Sequence, residues 1–115
     1  MLSHLHRFHG HGSLRYLYRH GKTSSNRLFS IKYNYNPQRV HSRFAIVVSK
    51  KIFKSAVKRN RLRRRLYEVI RAQLDDIKPS YDVVITVFSP ELIVLPPETM
   101  HRQLKELLVK EALLR

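Results

Sequence analysis

Nine of the sixteen residues from Lys50 to Arg65 are Lys or Arg, and none is acidic. The cations are Lys50, Lys51, Lys54, Lys58, Arg59, Arg61, Arg63, Arg64 and Arg65. Side chains of this type packed this closely repel one another unless a polyanion neutralises them, and phosphate backbone is the commonest polyanion. The chemistry they offer is charge neutralisation and hydrogen bonding to phosphate oxygens, with no bond made or broken. Apolar residues recur inside the run at helical spacing, so the cations belong to a folded face and not to a disordered basic tail.

Groups that could break bonds are sparse. Residues 1–67 hold 17 basic and no acidic residues, whereas residues 68–115 hold 6 basic and 8 acidic ones; +17 and −2 give the net +15. A metal-dependent nuclease needs converging carboxylates, which the basic part lacks and which the rest only scatters. A metal-free ribonuclease can use two His and a Lys, but the spacing of His20 and His41 does not join them. No nucleophile motif is visible, so no catalytic residue and no protein-bound metal are expected. The chain has no Cys, which excludes disulfides and thiolate-held metals. His4, His6, His9 and His11 invite a metal by composition, yet they lack a helix or hairpin to fix them. Residues 1–12 read as a flexible His-rich arm and residues 13–115 as one domain. No apolar run approaches the roughly 18 residues of a membrane span, and residues 1–11 hold no apolar signal core. A soluble, cytoplasmic protein with no membrane partner is expected.

The elements that must position the cations follow from periodicity. Ser13 is placed to cap a helix over Leu14–His20, with Gly21 ending it. Leu14, Leu17 and Tyr18 form one stripe, either core or the border of a groove where a base stacks. Lys22–Asn26 reads as a polar loop. From Arg27 to Tyr35 the pattern alternates as in a strand, with Phe29, Ile31, Tyr33 and Tyr35 on one face and Ser30, Lys32 and Asn34 on the other. That aromatic ladder suits a core or a stacking platform for single-stranded nucleic acid. A hairpin through Asn36-Pro37-Gln38 leads to a second strand, Arg43–Ser49, apolar enough to be central. The helix bearing the basic run spans Ala56–Leu74. Its stripe of Leu62, Leu66, Val69, Ile70 and Gln73 packs on a sheet, while Asn60, Arg64, Tyr67 and Arg71 project oppositely, flanked by Arg61 and Arg65. Glu68 is the single acid on this helix, so the ridge lacks the pairing acids of a merely solvated face. Tyr81–Phe88 reads as a central strand, with a possible short strand near Leu92–Leu95. The last helix, near Glu98–Leu114, carries a stripe of Met100, Leu104, Leu107, Leu108 and Ala112. The order α-β-β-α-β-α predicts an α+β fold, a two-layer α/β sandwich. RNA is favoured over DNA, because aromatics beside cations suit single strands and no helix-turn-helix spacing is visible.

The segment Arg43–Lys51 followed by Lys58–Arg71 resembles the protein subunit of bacterial ribonuclease P. The resemblance rests on Ser49-Lys50-Lys51, on the Arg59-Asn60-Arg61 box, on Asn26-Arg27 with Phe29 upstream and on Tyr81-Asp82-Val83-Val84 downstream. It covers residue 13 to the end. Leu14 stands where the family usually has Phe, and Tyr67 where it has Arg. The resemblance implies a ribosomal-protein-like sandwich with a left-handed βαβ crossover. It also implies a subunit that joins a catalytic RNA, which with Mg²⁺ removes the 5′ leader from precursor tRNA. Mg²⁺ then belongs mainly to the RNA, and the partners are the catalytic RNA subunit and precursor tRNA. The cations from Lys50 to Arg65, with Asn60 and Arg71, match the surface toward the catalytic RNA. Leu14, Tyr18, Phe29, Ile31, Tyr33 and Ser49 match the leader groove. The alternative from composition alone is an autonomous RNA-binding module of ribosomal type.

Overall fold

The computed structural model describes residues 6–8 and 12–115. Helix α1 (Gly12–His20) is followed by β1 (Lys22–Ser25), β2 (Phe29–Tyr35) and β3 (Arg43–Val47). Helix α2 (Ala56–Gln73) leads through a 3-10 turn to β4 (Tyr81–Val87). A second 3-10 turn (Pro90–Ile93) precedes α3 (Pro97–Lys110). The sheet order is β1-β2-β4-β3.

The predicted polar loop Lys22–Asn26 contains β1. Its sequence, Lys-Thr-Ser-Ser, has no apolar alternation because it is a short edge. Asn26 makes the pairing possible: its side-chain oxygen accepts the N–H groups of Leu28 and Phe29 at 2.8 and 2.9 Å. This turns the chain into an antiparallel pair in which Ser24 faces Ile31. Ahead of it, Gly21 N–H donates to Leu17 O at 2.8 Å and ends α1. A Cβ at Gly21 would lie 2.6 Å from that carbonyl oxygen, so only glycine allows the approach. Because α1 begins at Gly12, Ser13 lies inside its first turn rather than capping it.

The hairpin expected between β2 and β3 does not form. β4 lies between them, antiparallel to β2 (Ile31 opposite Ile85) and parallel to β3 (Ile46 beside Ile85). A parallel pair needs a crossover, and α2 supplies it. The link 36–42 instead crosses the start of β4: Asn36 N–H donates to Ser80 O at 2.7 Å, and the Ser42 hydroxyl donates to Lys78 O and accepts from Tyr81 N–H. β4 is therefore central as expected, whereas β3 is not. The stretch near Leu92–Leu95 is no strand either; it holds the end of the second 3-10 turn and the residues after it.

The main core lies between one face of the sheet and the helices α2 and α3. Phe29, Ile31 and Tyr33, Phe44 and Ile46, and Val83, Ile85 and Val87 meet Leu62, Leu66, Val69, Ile70, Met100, Leu104, Leu107 and Leu108. Each such side chain removed from water contributes about 1.5–3 kcal/mol. Leu17 of α1 and Val84 are also fully buried, but on the opposite face of the sheet. That outer face also holds a buried ion pair. Arg43 Nε and Nη2 donate to the two Asp82 oxygens at 2.9 and 2.8 Å, and Asn36 Nδ2 donates to the same carboxylate at 3.1 Å.

Two chain ends differ from expectation. His6–Phe8 do not stand off as an arm. His6 Nδ1 donates to Ser42 O at 2.8 Å, Arg7 bridges to Phe44 alongside β3, and the Phe8 ring lies 4.6 Å from the Arg43 guanidinium carbon. His4, His9 and His11 lie outside the described residues. α3 ends at Lys110, short of the predicted Leu114. Ala112 adopts φ 57, and the N–H groups of Leu113 and Ala112 return to Leu108 and Val109. This Schellman closure exposes Ala112 and buries Leu113 in its place.

Candidate nucleic-acid interface

The basic surface begins where β3 ends. Ser49 O accepts the N–H groups of Ile52 and Phe53 at 3.1 and 3.3 Å, which folds 49–53 into a tight turn. Ile52 and Phe53 pack against the core; Ser49, Lys50, Lys51 and Lys54 are left exposed. Ser55 then caps α2, its side-chain oxygen accepting Lys58 N–H at 3.3 Å. No acidic residue follows in the first turn, so the positive end of the helix dipole adds to the cations there.

Helical phasing sorts the run as expected on its buried side. Leu62, Leu66, Val69, Ile70 and Gln73 are the buried residues of α2. Lys58, Asn60, Arg61, Arg64 and Arg71 are exposed. The side chains of Lys50, Lys51, Lys54, Arg61 and Arg64 have no hydrogen-bond or ion-pair partner among the described residues. Lys58 reaches only the Phe53 ring, 5.8 Å from its centroid. Arg71 lies 3.5 Å from Glu68, both exposed.

Three cations assigned to the RNA face have tasks inside the chain. Arg59 Nη1 donates to Phe53 O and Lys54 O, both at 2.9 Å, and so holds the turn bearing Lys50 and Lys51. Arg65 turns the other way, donating to Leu95 O and to Met100 Sδ, because it borders the apolar seam facing α3. It is not on the open ridge. Arg63 donates to Asn60 Oδ1 along the helix. Tyr67, expected on the ridge, is half-buried against the core near the Ile46 backbone, and burial pushes its phenol pKa up.

The groove assignment is corrected by one residue of strand parity. Phe29 and Ile31 are 0% exposed and Tyr33 7%, all packed under α2 and α3. They cannot line a groove. Their neighbours Ser30, Lys32 and Asn34 lie on the outer face beside α1. Lys32 Nζ donates to Tyr18 O at 2.6 Å and sits 5.8 Å from the Tyr18 ring. Tyr18 is 48% exposed, and Leu14 is half-buried on the same stripe of α1. Val47 and Phe88, both exposed, extend this face toward the Ser49 turn. The groove is thus an aromatic ring and a lysine at one side, with open strand ends leading to the basic turn. Lys32 is the residue sequence reasoning missed. Its signal was present in the alternation of β2, which left open which face meets the helices.

The carboxylates are dispersed. Asp82 binds Arg43, Glu91 binds Arg27, and Glu111 accepts the Tyr33 hydroxyl. The Arg27 contact holds the Glu91 carboxyl below its ordinary range. The Tyr33 phenol is pushed up to about 12 by burial and by Glu111. Among the described residues no group of three or more His, Asp or Glu converges as a metal site. No described helix is long and apolar enough to cross a membrane.

The sequence profile of the family described as Ribonuclease P matches residues 2–112. A ribonuclease P protein component from Oceanobacillus iheyensis is 36% identical over 101 residues, 88% of this chain and 82% of that protein. One from Synechocystis sp. is 38% identical over 91 residues, 79% of this chain and 73% of that protein. Among solved structures, the RNase P protein of Thermotoga maritima superposes with a TM-score of 0.80 at 26% identity, covering 90% of this chain and 96% of that one. The Staphylococcus aureus RNase P protein gives 0.81 at 22% identity, over 96% and 98%, a likeness of fold. With a matching profile over nearly its whole length, this chain belongs to the ribonuclease P protein-component family, as a subunit of that endoribonuclease of tRNA processing.

Proposed function

We propose that this subunit docks on the catalytic RNA of ribonuclease P through the open cations of the 49–54 turn and α2, and that it holds the 5′ leader of precursor tRNA along the groove between α1 and the outer sheet face. The observation that carries this reading is the set Lys50, Lys51, Lys54, Arg61 and Arg64, whose side chains are exposed and have no partner among the described residues. Cations that a protein leaves unpaired on one surface are matched by phosphates. Ser49 lies where that surface meets the groove, so one RNA strand can pass from one to the other. Arg59 serves as a positioning residue by fixing the turn.

The chain performs no bond cleavage in this scheme. Among the described residues the carboxylates do not converge, and Asp82, Glu91 and Glu111 are engaged with Arg43, Arg27 and Tyr33, which does not fit a Mg²⁺ site in the protein. Mg²⁺ and the chemistry are assigned to the RNA, in the cytoplasm. The test is reconstitution on precursor tRNA at near-physiological Mg²⁺, with and without the cognate RNA subunit. Protein and RNA together should cleave faster than RNA alone. Unchanged RNA-alone cleavage would remove the subunit role in leader removal and leave an autonomous RNA-binding module, while cleavage by the protein alone would place catalysis in this chain. Within the groove, Tyr18→Ala and Lys32→Ala should weaken precursor tRNA more than mature tRNA. Equal weakening of both would return these side chains to a purely structural role.

A further inference from the structure

A cavity of about 390 Å³ opens at the far end of the outer face, between α1 and the end of β2. It is lined by Tyr16, Asn34, Tyr35, Asn36, Gln38 and Asp82, with Gly12 and Pro37 completing the wall. We infer that this cavity receives one unpaired nucleobase of the RNA lying in the groove, upstream of the segment beside the basic turn. The inference rests on the leader-binding reading above and adds a site to it.

The lining decides the ligand class. It contains no Lys, Arg or His, and it does contain the Asp82 carboxylate. The Asp82 charge is neutralised by Arg43, so the lining offers no free cation to hold a phosphate, in contrast to the Lys50–Arg64 surface, and the uncharged part of a nucleotide is favoured. Two phenol rings border the cavity, Tyr16 at 56% and Tyr35 at 59% exposure. Each is braced by a neighbour: Tyr16 by His20 at 4.5 Å and Tyr35 by Tyr81 at 5.5 Å between ring centroids. Exposed rings of this kind are platforms on which bases stack. Amides supply the edge contacts through which unstacked bases are read. The exposed Gln38 side chain has no partner among the described residues. The Asn34 side-chain oxygen is buried without one, and its amide nitrogen makes only a 3.4 Å contact to Tyr35 O. A small turn of that amide would offer it to a base. Asn36 is already engaged, with Asp82 and with Gln38 N–H.

Position sets which nucleotide enters. From Phe29, the β2 end paired with Val87, to Tyr35 is six residues of strand, roughly 20 Å at about 3.3 Å each. A base in the cavity is thus a few nucleotides of extended strand away from one at the other end of β2.

The experiment is an abasic walk along the leader of a precursor tRNA, with affinity measured for the reconstituted holoenzyme. The wild-type protein should lose about 5- to 10-fold at one upstream position, the loss of one base stacked on aromatic rings. The intact-to-abasic ratio at that position should collapse toward one for Tyr35→Ala and for Gln38→Ala. The Gln38 side chain has no partner among the described residues, so its substitution does not threaten the fold. A wild-type walk with no position-specific loss overturns the cavity as a base site. So does a loss that both variants retain unchanged. If removing the whole leader leaves affinity unchanged, the leader-binding reading itself fails, and that result is distinct from a flat walk on a leader that still contributes.

Discussion

Arg61 and Arg64 differ from Arg59 and Arg65 only in phase on one helix, yet the two pairs do opposite work. The side chains of Arg61 and Arg64 are exposed and have no hydrogen-bond or ion-pair partner among the described residues. Arg59 and Arg65 reach four acceptors between them: the carbonyls of Phe53, Lys54 and Leu95 and the Met100 sulfur. Arg43 is the extreme of the second kind, 4% exposed and bidentate to Asp82. Charge density alone therefore does not define an RNA surface. The distinction is between cations satisfied by the fold and cations the fold leaves open.

The sharpest way to break this comparison is to strand a satisfied cation. Asp82→Ala leaves the Arg43 guanidinium buried and unpaired, and should lower folding stability by about 3–5 kcal/mol, read from urea denaturation. A loss under 1 kcal/mol would mean that Arg43 reaches water and belongs with the open set. Arg65→Ala should lower stability by about 1–2 kcal/mol, since Leu95 O loses its donor, while the salt dependence of RNA binding stays nearly unchanged. Arg61→Ala and Arg64→Ala should show the reverse. Stability moves by no more than about 0.5 kcal/mol, and the slope of log affinity against log salt falls by about one unit each. If Arg65→Ala lowers that slope as much as Arg64→Ala, the sorting by partner fails.

A further prediction concerns a proton. The Tyr33 phenol is raised from 10.0 to about 12, mainly by burial and then by Glu111. The folded state thus holds this proton more tightly than the unfolded state does. Its contribution is fully present below pH 10 and is lost as pH rises toward 12. Wild type should therefore lose more stability than Tyr33→Phe across that window. Parallel pH profiles for the two would show that the phenol is not shifted.

How much was legible follows the same division between local and non-local causes. The α2 seam was readable residue for residue, because 3.6-residue periodicity and burial coincide there. The cationic run was readable as a surface, but the donors of Arg59 and Arg65 meet carbonyls that periodicity does not display. β1 was hidden because Lys-Thr-Ser-Ser carries no alternation and depends on Asn26 to pair it. The alternation of β2 leaves open whether its aromatic face is core or groove, because a strand pattern shows two faces and not which one the helices cover; the resemblance placed that face in the groove. The buried Arg43–Asp82 pair joins residues 39 apart in sequence, and nothing local announces it. The resemblance gave the family without these details.

The contact of Arg7 with Phe44 has a consequence for the protein before it meets RNA. A sheet of four strands exposes two edges, each a template on which a second chain can add a strand. One edge here is β1, four polar residues long with Lys22 at its end. The other is β3, and the chain's own residues 6–8 lie along it. A protein of net charge +15 is already kept apart from its copies by repulsion, but repulsion fades with salt and vanishes on a polyanion. Where that happens, the β3 edge beside Phe44 is already occupied by residues 6–8 and is not open for another chain to pair with.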